Sequence, residues 1–171
     1  EWRRQMKDLK TLAAECEAEL RSLNIQPGEI NSWIVNTRAK NRWGQCKRYL
    51  PGLFNISISA RLLQDSVSDQ AAKNTIMHEL LHTVKGCYGH KGKWKVLAMT
   101  VNRLLPQYTI KRTTSAEEKG LESIRRERTN RYAVKCDHCG KEYCREKASK
   151  LIQHPDKYRC GVCGNSLTRV R

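Results

Sequence analysis

Apolar residues at the start of the chain recur at the spacing of an amphipathic helix. Over residues 2–23 they are separated by three or four positions, with charged residues between them: Trp2, Met6, Leu9, Leu12, Ala13, Cys16, Leu20 and Leu23. On a helix this spacing places the apolar side chains on one face. The segment from Asn24 to Gly28 contains Pro27 and ends the pattern. We therefore expect a first helix that packs one face against a core.

Three short segments after this helix have the pattern of β-strands, at residues 30–36, 42–47 and 54–59. The last one alternates strictly, so that Phe54, Ile56 and Ile58 share one buried face. Two further helices follow. The first has apolar residues at helical spacing up to about Val84 and begins at Asp69, which can cap it. The second covers residues 93–105 and stops at Pro106.

These elements predict an α+β fold with a small antiparallel sheet and a separate C-terminal unit. We place the main domain at residues 1–108. Residues 109–135 are assigned to a charged linker because the apolar periodicity weakens there, and within it residues 116–128 could form a charged helix. Residues 136–171 form the small C-terminal unit.

The chain is strongly basic, with 33 Lys and Arg against 17 Asp and Glu and a formal net charge of +16. An excess of this size favours nucleic acid as a partner. The alternative is an ordinary cytosolic protein whose basic surface is incidental. The first residues lack the apolar core of a secretory signal, and no run of eighteen apolar residues exists to span a membrane. We expect a cytoplasmic monomer that could associate with the nucleoid.

The motif His78-Glu79-Leu80-Leu81-His82 lies within the first of the two later helices. Residues four apart face the same way on a helix, so His78 and His82 can hold one zinc ion. Glu79 lies beside them and can take a proton from a water on the metal. The alternative is a helix face that carries two histidines and a glutamate without a metal.

A catalytic zinc needs a third ligand from the protein. No Asp or Glu occurs between Leu80 and Ala116, which excludes a carboxylate from the following helix. Tyr88 occupies the position of the third histidine in the H-E-x-x-H-x-x-G-x-x-H pattern. The remaining candidates are His90, which is flanked by glycines, and Cys87, which can equally be a small buried residue.

Two C-x-x-C pairs, Cys136/Cys139 and Cys160/Cys163, form the spacing C-x2-C-x20-C-x2-C. This pattern predicts a zinc ribbon with one structural zinc ion. Three nearby residues could compete as ligands but are expected to be bystanders: His138, Cys144 and His154. The ribbon either stabilises the C-terminus only or also contacts nucleic acid through Lys141, Arg145, Lys147, Lys150, Lys157 and Arg159.

Arg38, Lys40 and Arg42 alternate along the chain. In an extended segment they would share one face and could follow phosphate groups, or they could discourage aggregation at a sheet edge. The tryptophans Trp33, Trp43 and Trp94 are expected in the core more than as stacking platforms for bases.

The histidine motif together with Gly89-His90-Lys91-Gly92-Lys93-Trp94 resembles the SprT-like zinc metallopeptidases, the group that includes Spartan. The stretch from Asn41 to Cys46 is similar to the R-W-G-x-C strand of that family, and 56–63 is similar to its next strand and turn. The resemblance extends from about residue 30 to the C-terminus, because many bacterial members end in a zinc ribbon.

This resemblance implies a zincin-like metallopeptidase domain in which His78, His82 and His90 bind zinc and Glu79 is the base. It also implies action on DNA-bound or DNA-crosslinked proteins, as in DNA repair. The leading hypothesis is therefore a zinc metalloendopeptidase that uses Glu79-assisted attack of zinc-bound water. The alternatives are a general metallopeptidase without DNA dependence and a nucleic-acid-binding zinc protein whose protease fold is structural.

Overall fold

A computed structural model describes residues 6–124 and 129–171 of the chain. The chain divides into two compact units, Glu1–Ile124 and Arg125–Arg171. Within the described ranges, no helix is both long and apolar enough to cross a membrane.

Over residues 6–124 the first unit contains three helices and three strands: α1 (Leu9–Ser22), β1 (Glu29–Asn36), β2 (Gly44–Leu50), β3 (Leu53–Ser59), α2 (Asp69–Thr83) and α3 (Lys93–Leu104). Two 3-10 turns, Ala60–Leu63 and Glu117–Lys119, complete it. The second unit contains β4 (Tyr132–Cys136), β5 (Glu142–Arg145), the short helix α4 (Lys150–Gln153) and β6 (Leu167–Arg169). The α+β class is confirmed.

Helix α1 begins at Leu9, later than the predicted start. Asp8 caps it, because its carboxylate accepts hydrogen bonds from the backbone of Lys10 and Thr11, both at 3.2 Å. Met6, which precedes the cap, forms a β-bridge with Gln64 and is therefore not helical. The rest of the predicted start, residues 1–5, lies outside the described residues.

The sheet of the first unit has the strand order β1-β3-β2. Strand β3 is central, and its Phe54, Ile56 and Ile58 are buried, as the alternation predicts. Strand β2 pairs with β3 in antiparallel fashion, whereas β1 pairs with β3 in parallel. The prediction of an antiparallel sheet was therefore wrong for β1. The reason is that the connection 37–43 carries the chain past the end of β3, so that β1 and β2 lie on opposite sides of it.

Arg38, Lys40 and Arg42 lie in this irregular connection and are exposed. The extended segment that would place them on one face is not formed. Their backbone instead turns around Asn36, whose side-chain oxygen accepts hydrogen bonds from the backbone of residues 38 and 39, both at 3.0 Å.

Helix α2 is the centre of the first unit and contacts α1, α3, β2 and β3. Its N-cap is Ser68, whose hydroxyl accepts a hydrogen bond from Ala71 N at 3.2 Å. The predicted cap, Asp69, is the first helical residue and forms an ion pair with Lys7. The interior positions predicted from the periodicity are buried, including Ala72, Ile76, Met77, Leu80 and Leu81.

The residues after α3 pack into the first unit, where the sequence predicts a linker. Tyr108 and Ile110 are buried in the core of this unit, so the chain here packs against the first unit and is not a free linker. Residues 116–124 form no helix beyond the 3-10 turn Glu117–Lys119, and the remainder of the predicted linker helix, 125–128, lies outside the described residues.

The second unit has an antiparallel sheet of order β5-β4-β6. It begins its regular structure at Tyr132, four residues before the predicted start. Among its described residues, the main hydrophobic cluster has five buried members: Val134, Cys136, Ile152, Cys160 and Leu167. A core of this size needs an additional stabilising element, such as a bound metal.

Candidate metal centres

Helix α2 and the following loop bring three histidine side chains together. His78 and His82 lie one turn apart on α2, and His90 comes from the loop before α3. The Nε2 atoms are separated by 2.9 Å (His78 to His90), 3.1 Å (His82 to His90) and 3.3 Å (His78 to His82). Three nitrogens bound to one tetrahedral zinc are separated by roughly 3.3 Å. The cluster therefore has the dimensions of a three-histidine zinc site.

Backbone carbonyl groups orient two of these rings. The Nδ1 atom of His78 lies 3.0 Å from the carbonyl oxygen of Lys111, and that of His82 lies 2.9 Å from the carbonyl oxygen of Cys87. A carbonyl can only accept, so each Nδ1 carries the hydrogen and each Nε2 lone pair faces the cluster. Partners of this kind hold metal-binding histidines in one orientation.

Burial keeps the three imidazoles neutral. It lowers the pKa of His78 to about 3 and also lowers the pKa values of His82 and His90. The neighbouring histidines lower the pKa of His78 further, because like charges in one site disfavour protonation. The neutral form is the one that binds a metal ion.

Trp94, the second residue of α3, packs against all three histidines. Its ring centroid lies 4.8 Å from that of His78, 5.4 Å from that of His82 and 4.7 Å from that of His90. The side chain is buried, as predicted, but its position is more specific than a general core role. It forms an apolar wall that limits how far the rings can rotate.

Glu79 is buried next to this cluster, with 7% of its surface exposed. Loss of solvent raises the pKa of its carboxyl group to about 7, although a hydrogen bond from the backbone of Cys46 in β2 opposes the shift. A carboxylate with this pKa is a stronger base than an exposed one.

Gly44, at the start of β2, gives the Glu79 side chain its space. A Cβ atom at residue 44 would lie 2.5 Å from the Glu79 carboxyl oxygen Oε1 and 2.7 Å from its Cγ. Any side chain at this position would displace the carboxyl group. The glycine of the Trp43-Gly44 pair thus has a direct role in the site.

The histidines and Glu79 line a cleft of about 550 Å³ within the first unit. One wall is β2, an edge strand. Another is the segment 109–119, which we call the strap. Hydrogen bonds to other elements fix the strap, among them three to polar side chains: Asn74 Oδ1 accepts from Thr109 N at 2.8 Å, Asn102 Oδ1 accepts from Ile110 N at 2.7 Å, and Trp43 Nε1 donates to Thr114 O at 3.2 Å.

The second unit brings four cysteines together at one point. The Sγ atoms of Cys136 and Cys163 are 3.4 Å apart, those of Cys139 and Cys160 are 3.5 Å apart, and all four lie within 4.8 Å of one another. Four thiolates around one tetrahedral zinc are separated by roughly 3.8 Å. The cluster fits a zinc ribbon.

Hydrogen bonds favour the thiolate form at two of these cysteines. The Tyr143 hydroxyl, which accepts from Gly161 N at 3.0 Å, lies 3.3 Å from Cys160 Sγ and lowers the pKa of that thiol to about 7. The backbone and side chain of Asn165 lower the pKa of Cys163 to about 5. Thiolates are the form that binds zinc.

The model of the SprT-like family matches residues 12–114, which is more than half of the chain and includes the whole histidine cluster. The chain belongs to the SprT-like family. A curated relative, "Protein SprT-like" of Bacillus subtilis (strain 168), is 26% identical over 141 residues, which cover 80% of this chain and 81% of that protein. A match of this extent continues beyond the first unit, which ends at Ile124.

The other predicted ligands lie outside the two clusters of this SprT-like protein. The thiol of Cys87 is fully buried, and it is the Cys87 carbonyl that meets His82. Of the two alternatives for Cys87, a metal ligand or a small buried residue, this arrangement corresponds to the second. His138, Cys144 and His154 do not join the cysteine cluster.

The residues predicted to contact nucleic acid are all exposed: Arg38, Lys40, Arg42, Lys141, Arg145, Lys147, Lys150, Lys157 and Arg159. Only Arg42 lines the cleft. Their contact with nucleic acid stays a prediction.

Sequence reasoning missed the strap, the carbonyl of Lys111 and the packing of Trp94 against the cluster. Any residue offers a backbone carbonyl, so no pattern could single out Lys111. The signal for Trp94 was its place four residues after His90, but that place alone does not distinguish a wall of the site from a core position.

Proposed function

We propose that this protein is a zinc-dependent endopeptidase of the HExxH type with a zincin-like catalytic domain. The observation that carries the proposal is the convergence of three neutral imidazoles beside the buried carboxyl group of Glu79, at an open cleft. Membership of the SprT-like family suggests a metallopeptidase-like protein and supports it. An open cleft with an edge strand as one wall suits an extended peptide substrate.

His78, His82 and His90 would hold the catalytic zinc. Zinc bound there would polarise a peptide carbonyl and lower the pKa of a water molecule to roughly 7. The carbonyls of Lys111 and Cys87 keep two rings in the required orientation, and Trp94 excludes water from their apolar side. The fit rests on the chemistry and spacing of the three nitrogen atoms.

Glu79 moves the protons of the reaction. Its carboxylate accepts a proton from the attacking water and then donates it to the amine nitrogen of the leaving peptide. The space that Gly44 leaves and the hydrogen bond from Cys46 hold the carboxyl group in place. A glutamine at position 79 keeps the shape of the side chain but cannot accept this proton.

We further propose one structural zinc at Cys136, Cys139, Cys160 and Cys163, so that each chain holds two zinc ions. The four sulfur ligands complete a tetrahedral site and leave no position for substrate. The five-residue core of the second unit supports this role, because such a unit needs the metal for its stability.

For the substrate we propose proteins that are bound or crosslinked to DNA, which would place the enzyme in DNA repair. The net charge of +16 and the exposed basic residues support contact with DNA. The family resemblance supports the same class of substrate. Contact with phosphate groups would concentrate the enzyme near such substrates.

The test compares the zinc-loaded wild type with Glu79→Gln, and with Glu29→Gln as a matched control on the exposed start of β1. Each is incubated with a DNA-binding protein, with and without DNA, and cleavage is followed by mass spectrometry. We expect the Glu79 variant to lose about 10²–10⁴-fold in rate and the control to retain wild-type activity.

Three outcomes separate the hypotheses. Equal cleavage by wild type and Glu79→Gln contradicts the mechanism. Cleavage that does not depend on DNA favours a general metallopeptidase. DNA binding without cleavage by any form favours a nucleic-acid-binding protein with a structural protease fold.

A further inference from the structure

The strap places a buried ammonium group in the cleft. Lys119, the last residue of the 3-10 turn Glu117–Lys119, has only 6% of its surface exposed. Its Nζ atom donates a hydrogen bond to Thr75 Oγ1 at 2.7 Å. The turn is closed by backbone hydrogen bonds from residues 119 and 120 to Ala116 and Glu117, at 2.9 and 3.0 Å. The ammonium group is therefore held at a defined position.

Among the described residues, no carboxylate lies within ion-pair distance of this positive charge, although Glu118 acts on it from farther away. The ion pairs of residues 6–124 and 129–171 do not include Lys119, and the adjacent Glu118 pairs with Lys111. Burial lowers the pKa of Lys119 to about 8, so the ammonium form still dominates at neutral pH. A buried cation without an anion is unfavourable, and an incoming anion would relieve this.

Lys119 lies on the part of the cleft next to the histidine cluster. Its partner Thr75 precedes His78 by three residues on α2, and residues three apart lie on the same helix face. Thr75, His78, Glu79 and Lys119 all line the same cleft. A substrate whose scissile bond lies at the histidines thus reaches Lys119 with a neighbouring residue.

The other charged residues of the cleft point to the same kind of ligand. Its lining contains five basic residues, Arg42, Arg48, Lys111, Arg112 and Lys119, and a single acidic one, Glu79. Glu79 is already assigned to proton transfer. A substrate segment with a carboxylate therefore meets a favourable field, whereas a basic segment meets repulsion.

The hydrogen bonds at Lys119 favour a carboxylate as the ligand. An ammonium group has three N–H donors, and Thr75 takes one of them, which leaves two for another acceptor. The Thr75 hydroxyl is itself within 3.4 Å of the Ala71 carbonyl, where its hydrogen is directed. Thr75 thus orients Lys119, whose two remaining N–H donors are available to a ligand. A single enclosed ammonium group suits one carboxylate.

We propose that Lys119, oriented by Thr75, forms a subsite that selects an acidic side chain next to the scissile bond of a protein substrate. This inference rests on the proposed peptidase function and adds a substrate class to it. Lys119 is then a specificity residue, and the strap both orients His78 through Lys111 and carries the group that recognises the substrate.

The experiment uses pairs of fluorogenic peptides that differ only in Asp or Asn at one position, scanned over the residues on either side of the cleaved bond. Wild type, Lys119→Met and Lys119→Arg are compared, with Lys95→Met on the exposed face of α3 as control. We expect kcat/KM of the wild type to favour Asp over Asn by about tenfold or more at one position, as for a charge-assisted hydrogen bond.

The variants should change this ratio in a defined way. In Lys119→Met the ratio of kcat/KM between the Asp and Asn peptides should fall to about one, because kcat/KM falls for the Asp peptide alone. Lys119→Arg should keep a preference for Asp, and Lys95→Met should match the wild type. Thermal unfolding of each variant shows whether the strap is still folded. A wild-type ratio near one overturns the subsite. An equal fall of kcat/KM on both peptides in Lys119→Met also overturns it, and indicates that Lys119 stabilises the strap or affects catalysis in general.

Binding to the zinc-loaded Glu79→Gln protein separates this inference from the proposed function. Calorimetry with the same peptides measures the subsite without cleavage. A preference for the Asp peptide that disappears in Glu79→Gln/Lys119→Met supports the subsite even if no form of the protein cleaves peptides. Equal binding of both peptides rejects the subsite. A short DNA oligonucleotide could instead displace the Asp peptide from the wild-type cleft but fail to bind the cleft in Lys119→Met. That result would assign the cleft to nucleic acid and would also reject the acidic subsite.

Discussion

The histidine cluster and the cysteine cluster are built from similar distances but differ in how the chain supports them. The Nε2 atoms lie 2.9–3.3 Å apart and the paired Sγ atoms 3.4–3.5 Å apart, so both clusters have the size of a zinc site. Two of the histidines come from a helix at the centre of a large core, and the third comes from the loop that follows it. The cysteines lie in a unit whose hydrophobic cluster has five buried members among the described residues. With zinc bound as proposed, the first unit would position the metal, whereas the second would depend on it for its stability.

This comparison predicts that removal of the ligands has opposite structural effects in the two units. Replacing Cys160 and Cys163 with Ser should remove one of about two zinc ions and unfold the second unit, because metal binding supplies its folding free energy. Replacing His78 with Ala should remove the other zinc while the first unit stays folded. Metal analysis and NMR chemical-shift dispersion measure both effects. A single zinc in the wild type would refute the two-site hypothesis.

A smaller effect is expected from one added methyl group. Gly44→Ala would place Cβ 2.5 Å from the Glu79 carboxyl oxygen and displace it, so that kcat/KM should fall by about 100-fold. Zinc content should be unchanged, because no ligand moves. The matched control is Gly161→Ala in the second unit, where the nearest contact is the Tyr143 hydroxyl at 3.7 Å, an ordinary van der Waals distance. Equal activity of Gly44→Ala and wild type would show that Glu79 is not held by β2.

The smallest effect concerns the groups behind the ligands. Asn102 bonds both the amide and the carbonyl of Ile110, at 2.7 and 3.0 Å, and so positions the neighbouring Lys111 carbonyl against His78. Asn102→Ala should lower zinc affinity at the histidine site by about tenfold. Tyr143→Phe removes the hydrogen bond to Cys160 and should weaken the other site by a similar factor. Competition with a zinc chelator measures the zinc affinity of both sites. Weaker binding at the cysteine site in Asn102→Ala, or at the histidine site in Tyr143→Phe, would contradict the assignment.

Much of this structure follows from local patterns. The period of the apolar residues predicts α2 and β3, because burial of one face is a property that each segment carries in its own sequence. The cap of α2 was assigned one residue too late, since Ser68 and Asp69 are both good caps and only the backbone geometry distinguishes them. The parallel pairing of β1 could not be predicted in this way, because it depends on which side of β3 the strand joins.

The strap shows why part of the site could not be predicted. The strap has little apolar periodicity, and the backbone groups of Thr109, Ile110 and Thr114 bond to the side chains of Asn74, Asn102 and Trp43. A segment of this kind looks like a linker in the sequence. Its function depends on contacts between residues that are far apart along the chain, as in the hydrogen bond from Lys119 to Thr75.

The sequence by itself determined the chemistry of this protein: two sets of ligand residues with the spacing of zinc sites, a glutamate beside one of them, and a strongly basic chain. Helical spacing brings His78 and His82 together, and each C-x-x-C turn brings its own two cysteines together, without long-range contacts. Only the tertiary structure decided that His90 meets His78 and His82, that Gly44 makes room for Glu79, and that Lys119 lies buried in the cleft. Each of these depends on packing between elements that are distant in the chain, and packing of that kind leaves no pattern in a single sequence.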